Sequence, residues 1–460
     1  MSHLSNPTRR DLMKAGAGTV ALSSAAGCIG DDDDAEDTPT DATDDRSNLW
    51  TQEPQPERVE RLTEITETFT DEYGGEYDIT VMETEDFVTE YNAALAAGQL
   101  FSMAGVSNIQ MSQFWDTDIP AFDHHGEVID EVGAENFHDN ILAQVDIDRG
   151  YLGVPIMAWG MAMWYRQSAF DEHGLDTPNT WDSILEAAET LHAPEEDVWG
   201  VGIGTHGGGA SFYPQQCYAL FALANDSDIF DENGEIIFDS DGHIETLEYY
   251  DQLAEFNPPG VIEPGETFVG YAEGDGHLTP IASHILQYVW DVSEDPEDEL
   301  ADIRHSGYVE QTRQASFGLC EGFYMINDQA PEGAKERDRD FLSWWILEDD
   351  HEHYMNWLDV QIGGFQPVLE GFTEREEYRN QEVLQHVDES VLDAIDETLV
   401  NFDRFGGYIY GEYFPASGAI ETQFFINDAV NRVVHGGESP QEVAEAEADR
   451  MRDVVEGFRE

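Results

Sequence analysis

Gly202-Ile203-Gly204-Thr205-His206-Gly207 has the glycine spacing of a loop that cradles a dinucleotide pyrophosphate, and it follows a strand-like run from Val198. That chemistry needs a helix opening at the last glycine, so that its unpaired amides meet the phosphates. Gly208, Gly209, Ala210 and Ser211 stand there instead, and the first helical pattern starts after Pro214, so the spacing predicts a glycine-rich loop at a lobe edge. His351-Glu352-His353 places two imidazoles at i and i+2, whereas a helical zinc pair sits at i and i+4. With Asp349 and Asp350 beside it, the run reads as a wet helix face. His124-His125 has no spaced partner, and a calcium loop read into Asp239-Ser240-Asp241-Gly242 would begin on Ile237, which has no side-chain oxygen. No serine sits in a nucleophile elbow. Among 98 acidic residues some pair always imitates a glycosidase dyad, so spacing singles out no catalytic residue. Neither a metal nor a cofactor is expected.

A set of aromatics at segment ends remains: Trp50, Trp159, Tyr213, Tyr271, Tyr408, Tyr410 and Tyr413. Sugar rings have apolar C–H faces and hydroxyl rims, which suit flat aromatics and hydrogen-bonders such as Gln52, Ser107, Asn108, His284 and Gln366. For each aromatic taken singly, core packing is the competing role.

The elements that would position these residues alternate. Ser47–Trp50 reads as a strand, Arg58–Phe69 as a helix with Val59, Leu62, Ile65 and Phe69 on one face, and Tyr77–Met82 as a strand. Phe87–Leu100 reads as a helix and Gly105–Ile109 as a strand, which predicts a parallel, doubly wound α/β sheet. Pro155 sits where a central ladder would have to end. Gly174 suits a left-handed helix end, and Asn179 or Thr180 can cap a helix carrying Trp181, Ile184, Leu185, Ala188 and Leu191. Asp231-Glu232-Asn233-Gly234 reads as a hairpin turn, and Phe341–Trp357 as an aromatic-rich helix. Ser439-Pro440-Gln441-Glu442 is a capping box for a last helix with Ala444, Ala448, Met451, Val455 and Phe458 aligned.

At 460 residues the chain exceeds one compact core and fits two lobes. Acidic residues number 98 against 20 basic ones, of which only Lys14 and Lys335 are lysines. Their even spread reads as a surface adapted to molar salt, where screening removes most self-repulsion, rather than as a site for cations or basic partners. Nucleic acid is a poor partner for a net charge of −78. Thr8-Arg9-Arg10-Asp11-Leu12-Met13-Lys14 precedes an apolar run, Ala15 to Gly27, shorter than the roughly 20 residues of a membrane-spanning helix. Twin arginines and small residues resemble a twin-arginine export signal, and Ala25-Ala26-Gly27-Cys28 resembles a lipobox with Cys28 as the lipidated residue. The polar stretch 31–47 reads as a solvated tether. Cys217 and Cys320 either pair or stay as buried thiols.

One stretch carries a family resemblance. Tyr151-Leu152-Gly153-Val154-Pro155, a strand ending in Tyr165-Arg166, Phe170 followed by Gly174-Leu175, and Pro178-Asn179-Thr180-Trp181 run in one order. That order is similar to the crossover segment of the extracellular solute-binding proteins of family 1, the maltose-type receptors of ABC importers, here of halophilic archaeal type. Arg166 stands where that family usually has Asn, Phe101-Ser102-Met103 replaces a Pro-Asp, and His284 stands at a Trp-bearing segment. The resemblance implies an α/β, two-lobe periplasmic-binding-protein-like fold of type II, with hinge crossings near Gly153–Pro155, 306–311 and Gly364–Pro367. The implied division is a signal peptide at 1–27, a linker at 28–47, an N-terminal lobe of 48–154 and 310–365, and a C-terminal lobe of 155–309 and 366–460. It also implies a ligand cleft between the lobes, lined by Gln52, Ser107, Asn108, Met157, Trp159, His206, Tyr213, His284, Tyr408 and Tyr410. The chain is then expected to be a monomeric, non-enzymatic, lipid-anchored protein at the outer face of the membrane. It would deliver a sugar or oligosaccharide to an ABC permease. A surface-tethered carbohydrate-active hydrolase and a binder of a non-sugar solute are the alternatives.

Overall fold

The computed structural model describes residues 42–82, 87–97, 101–111, 114, 117–147, 149–209, 211–260, 264–359, 365–406, 414 and 416–459. The leader, Cys28 and the first part of the linker lie outside them. Among the described residues the strands are β1 (Arg46–Thr51), β2 (Glu76–Val81), β3 (Met103–Val106), β4 (Asp146–Ile147), β5 (Gly150–Tyr151), β6 (Val154–Arg166), β7 (Leu278–Ala282), β8 (Ile303–His305), β9 (Val309–Glu310), β10 (Gln314–Ile326), β11 (Gln366–Pro367) and β12 (Phe402–Asp403). Helices fill the intervals, giving the expected α/β class.

The main sheet runs β11-β6-β10-β3-β1-β2, with β7 and β8 on β6 and with β9 and β12 on β10. The expected parallel arrangement holds for β1 with β2 and β3. It gives way to antiparallel pairing where β10 meets β3 and β6. The sheet is therefore mixed, because β6 and β10 carry the chain in opposite directions through both lobes. One lobe gathers β2, β1, β3 and the ends of β6 and β10 around Val154 and Ile326. The other gathers β7, β8, β9 and β12 on the opposite ends of the same two strands.

Pro155 does not end the ladder: β6 is continuous through it, paired with Phe323, and the register shifts between Leu319 and Gly322 and again between Gly322 and Phe323, where Ile156 is the extra residue on β6. Proline has no amide to donate, which fits a ladder whose register shifts beside it. β1 has no exposed residue, as a strand covered on both faces must, whereas the edge strand β2 is half-buried.

Local chemistry explains the helices beside the site. Pro56 opens helix Pro56–Tyr73, whose Leu62, Ile65 and Phe69 are buried. Phe69 meets Phe341 edge-on at 5.3 Å. Gly174 ends helix Gln167–His173 at φ 68°, ψ 36°, a conformation that costs glycine little. Thr180 rather than Asn179 caps helix Trp181–Leu191, in a reciprocal box with Ser183. Thr180→Ala is expected to cost about 1 kcal/mol, read as a lower urea midpoint at unchanged slope.

The Asp231–Gly234 turn forms, with Asp231 N donating to Glu235 O at 2.9 Å and Gly234 at φ 76°. The aromatic helix extends over Glu332–Leu358 and is broken at Glu348–His351, where Asp349, Asp350 and His351 all have positive φ. The final helix, Pro440–Arg459, buries Val443, Ala444, Ala448, Met451 and Val455. No helix among the described residues is long and apolar enough to cross a membrane.

Candidate functional site

Parallel strands of an α/β sheet present their carboxyl ends to a crevice, and Gln52 and Glu53 follow the carboxyl end of β1. Glu53 is 7% exposed, and its amide donates to Thr51 Oγ1 at 3.2 Å. The first turn of helix Pro56–Tyr73 brings Arg58 back onto Glu53 as an ion pair, Nη1 to Oε2. Burial pushes the Glu53 carboxyl up and Arg58 pulls it part of the way back. The Arg58 guanidinium also lies over the Phe365 ring, 4.3 Å from its centroid. Phe365 is stacked in turn on Trp357 at 5.4 Å. Gln52 is half-buried, and its Nε2 has no hydrogen-bond partner among the described residues.

The other lobe contributes from β6 and from the carboxyl end of β7. Trp159 is partly exposed on β6, and His284 meets its ring edge-on at 5.8 Å. His284 precedes helix Ile285–Val292 and is walled by Phe268 at 4.8 Å and Tyr288 at 6.1 Å. Burial, with the Arg58 charge adding to it, pushes the His284 imidazole down to about 4. At neutral pH His284 is therefore an uncharged hydrogen-bonder. Gln366 ties this region together: its Oε1 accepts from Gly160 N at 2.7 Å, and its Nε2 donates to Ser283 Oγ at 3.2 Å. A Cβ at Gly160 would lie 2.2 Å from Thr398 Cγ2, so only glycine permits the strand to run this close.

Trp159 and His284 are thus in contact, the Arg58 charge acts on His284, and Gln52 adjoins Glu53 in the chain. Met157 does not share their exposure: it is 1% exposed, and Trp357 Nε1 donates to its Sδ at 3.3 Å. Tyr213 is buried inside its lobe, where its hydroxyl donates to Gly202 O at 3.0 Å. His206 is buried with Nε2 3.2 Å from Ser211 O. Ser107 is buried and bonded through both its amide and its hydroxyl to Gln110 Oε1. Asn108 opens the short helix Asn108–Met111. Tyr408 and Tyr410 lie outside the described residues. Glu53, Arg58 and Phe365 escape a search by spacing, although an arginine one turn after a strand end is conspicuous in a chain with so few cations.

The glycine loop is not a phosphate cradle, because the next helix, Tyr213–Ala224, starts well past Gly207. Tyr250 OH donates to Gly204 O at 2.6 Å, which ties the loop into the lobe. His353 is stacked on Trp344 at 4.0 Å, and His351 Nδ1 lies 2.6 Å from Ile346 O.

Residues 54–298 match the family described as bacterial extracellular solute-binding protein. The Escherichia coli (strain K12) protein YcjN, whose name assigns it as an ABC transporter periplasmic-binding protein, is 23% identical over 333 residues, 72% of this chain and 74% of its own. An arabinooligosaccharide-binding protein of Halalkalibacterium halodurans is 29% identical over 45% of this chain and 46% of its own. Among solved structures, an Agrobacterium radiobacter K84 ABC transporter solute-binding protein in complex with ribitol superposes with a TM-score of 0.71 at 18% identity, covering 91% of this chain and 100% of its own.

Proposed function

The chain belongs to the bacterial extracellular solute-binding protein family, and from that premise we propose that it captures a sugar or oligosaccharide between its lobes and passes it to an ABC importer. The observation that carries this reading is the partly exposed Trp159, set edge-on to an uncharged His284 on which the charge of the Glu53-paired Arg58 also acts. A flat ring serves the apolar face of a sugar, and the polar groups serve its hydroxyls. The sugar oligomer and the sugar alcohol in the names of the matched proteins support the same class of ligand. Ligand contact with both lobes would favour their closed arrangement, and no bond is broken.

The finer reading is a maltose-type receptor of halophilic archaeal type, exported through the Arg9-Arg10 signal at 1–27 and held to the membrane by lipid on Cys28 through the linker at 28–47. It works as a monomer, with lobes of 48–154 plus 310–365 and of 155–309 plus 366–460. Met157, His206, Tyr213, Ser107, Asn108, Tyr408 and Tyr410 belong to the same proposal, the buried ones as supports of the cleft wall.

Calorimetry and thermal shift of residues 28–460 in multimolar KCl, against monosaccharides, oligosaccharides and polyols, test it. A saturable shift with the sugar recovered intact is expected. Turnover of the sugar, or silence across the panel, overturns it. Trp159→Ala is expected to weaken binding at least tenfold with the melting curve preserved, as for loss of a stacking platform. Unchanged affinity removes Trp159 from the site.

A further inference from the structure

We propose that Glu53 sets the charge class of the ligand: by occupying Arg58 it admits uncharged sugars and turns away sugar acids. This rests on the sugar-binding reading above. A uronate carboxylate seeks a guanidinium, which it can meet by two parallel hydrogen bonds. Arg58 is held by Glu53 just past the carboxyl end of β1, and its charge also acts on His284, so it is a group such a carboxylate would meet. Arg61, one turn further along the same helix, is directed elsewhere, onto Asn356 O at 2.7 Å and Glu64 at 3.1 Å.

Arg58 is already engaged on two sides. Glu53 holds Nη1, and Phe365 covers the guanidinium plane at 4.3 Å. The side chains of the pair are 12% and 9% exposed, so water screens them poorly. A second carboxylate arriving at Arg58 would stand beside the first in a poorly screened place, and like charges there repel strongly. Burial depresses the His284 imidazole to about 4, so this side chain supplies no compensating charge at neutral pH. Hydroxyls meet no such barrier, because the carboxylate accepts from them and the guanidinium donates to them.

Glu53→Gln keeps the shape, removes the charge and frees Arg58. The test measures glucuronate and galacturonate binding, beside glucose, galactose and the neutral sugars of the screen, by calorimetry at pH 7.5 in multimolar KCl. Glu53→Gln is expected to bind a uronate at least tenfold more tightly than wild type does. Glu53→Gln/Arg58→Met, which removes both charges, is expected to lose that gain. Wild type that binds neutral sugars, with no uronate gain in a folded Glu53→Gln, overturns this proposal and leaves the sugar reading standing. Wild type silent to every sugar overturns both. Where Glu53→Gln does not fold, wild type decides: uronates at least a hundredfold weaker than the neutral sugars that bind uphold the proposal, and any smaller margin overturns it.

Discussion

Arg404→Met is expected to lower the free energy of unfolding by about 3–5 kcal/mol, the cost of leaving a buried charge without its partner. Arg404 is 2% exposed and its Nη2 reaches both oxygens of Glu421, at 2.5 and 2.6 Å. Its backbone amide also donates to Asp403 Oδ1 at 2.8 Å, and Asp403 is paired with Arg313 at 2.5 Å. These charges fasten β12 and the chain after it to helix Ala416–Glu421. Removing the guanidinium strands the Glu421 carboxylate, 6% exposed, where water cannot replace the lost partner. Arg404→Met/Glu421→Met is expected to recover most of the loss, because an apolar pair has no desolvation to repay. Urea titrations of the two single variants and the double variant measure this. A single-variant cost below about 1 kcal/mol, the value of an exposed pair, would contradict the buried assignment.

Much of the fold was legible because its signals are local. Gly174, Thr180 and the Ser439-Pro440 start act within one helical turn, and the structure uses each as a terminus or cap. The mixed sheet was not legible. Strand direction between β6 and β10 depends on pairing across some 150 residues, to which neither periodicity nor turn chemistry is sensitive.

Arg166 illustrates the limit for the site. A residue where the family usually has Asn invites a role with ligand. Instead Arg166 is 5% exposed, ion-paired with Glu299, and donates through Nη2 to Tyr271 O at 2.7 Å. Its guanidinium lies 5.1 Å from the Tyr271 ring centroid. Tyr271, one of the aromatics at segment ends, is thereby held beside the far end of β6 from Trp159. Composition marks which aromatics are available, and only the register of β6 shows which end of the lobe each occupies. Glu53 and Arg58 were missed for a related reason: an acid–base pair five residues apart is commonplace, and its value comes from the strand end that buries it.

Acidification from pH 7 to pH 4.5 is expected to remove several kcal/mol of stability, chiefly through buried histidines. His125 shows the cause most clearly. Its Nδ1 lies 2.8 Å from Tyr151 O and its Nε2 accepts from Ile326 N at 2.8 Å, so the ring fits only as the neutral tautomer protonated on Nδ1. A second proton would face an N–H donor. Burial holds His125 and His243 down to about 4 and His305 to about 3. An unfolded histidine titrates near 6.5. Between these values the unfolded chain binds more protons, so the contribution is complete above about pH 6.5 and is lost as pH falls to about 4. Each histidine is worth on the order of 3 kcal/mol over that window.

Buried acids act the other way. Burial raises Asp338 to about 6 and also raises Glu53 and Asp403, so the native state takes up protons there and gains stability on acidification. Asp338 recovers about 3 kcal/mol at most, less than the histidines lose. Relief of repulsion among surface carboxylates also favours the native state at low pH, and molar KCl screens it at both ends of the range. Urea titrations in molar KCl at pH 7 and 4.5 are therefore expected to show a clear net fall. Asp338→Asn, which abolishes one opposing contribution, should deepen the fall between the two pH values. A stability that is flat or rising toward pH 4.5 would mean that these imidazoles accept protons in place, against the donor that Ile326 presents to His125.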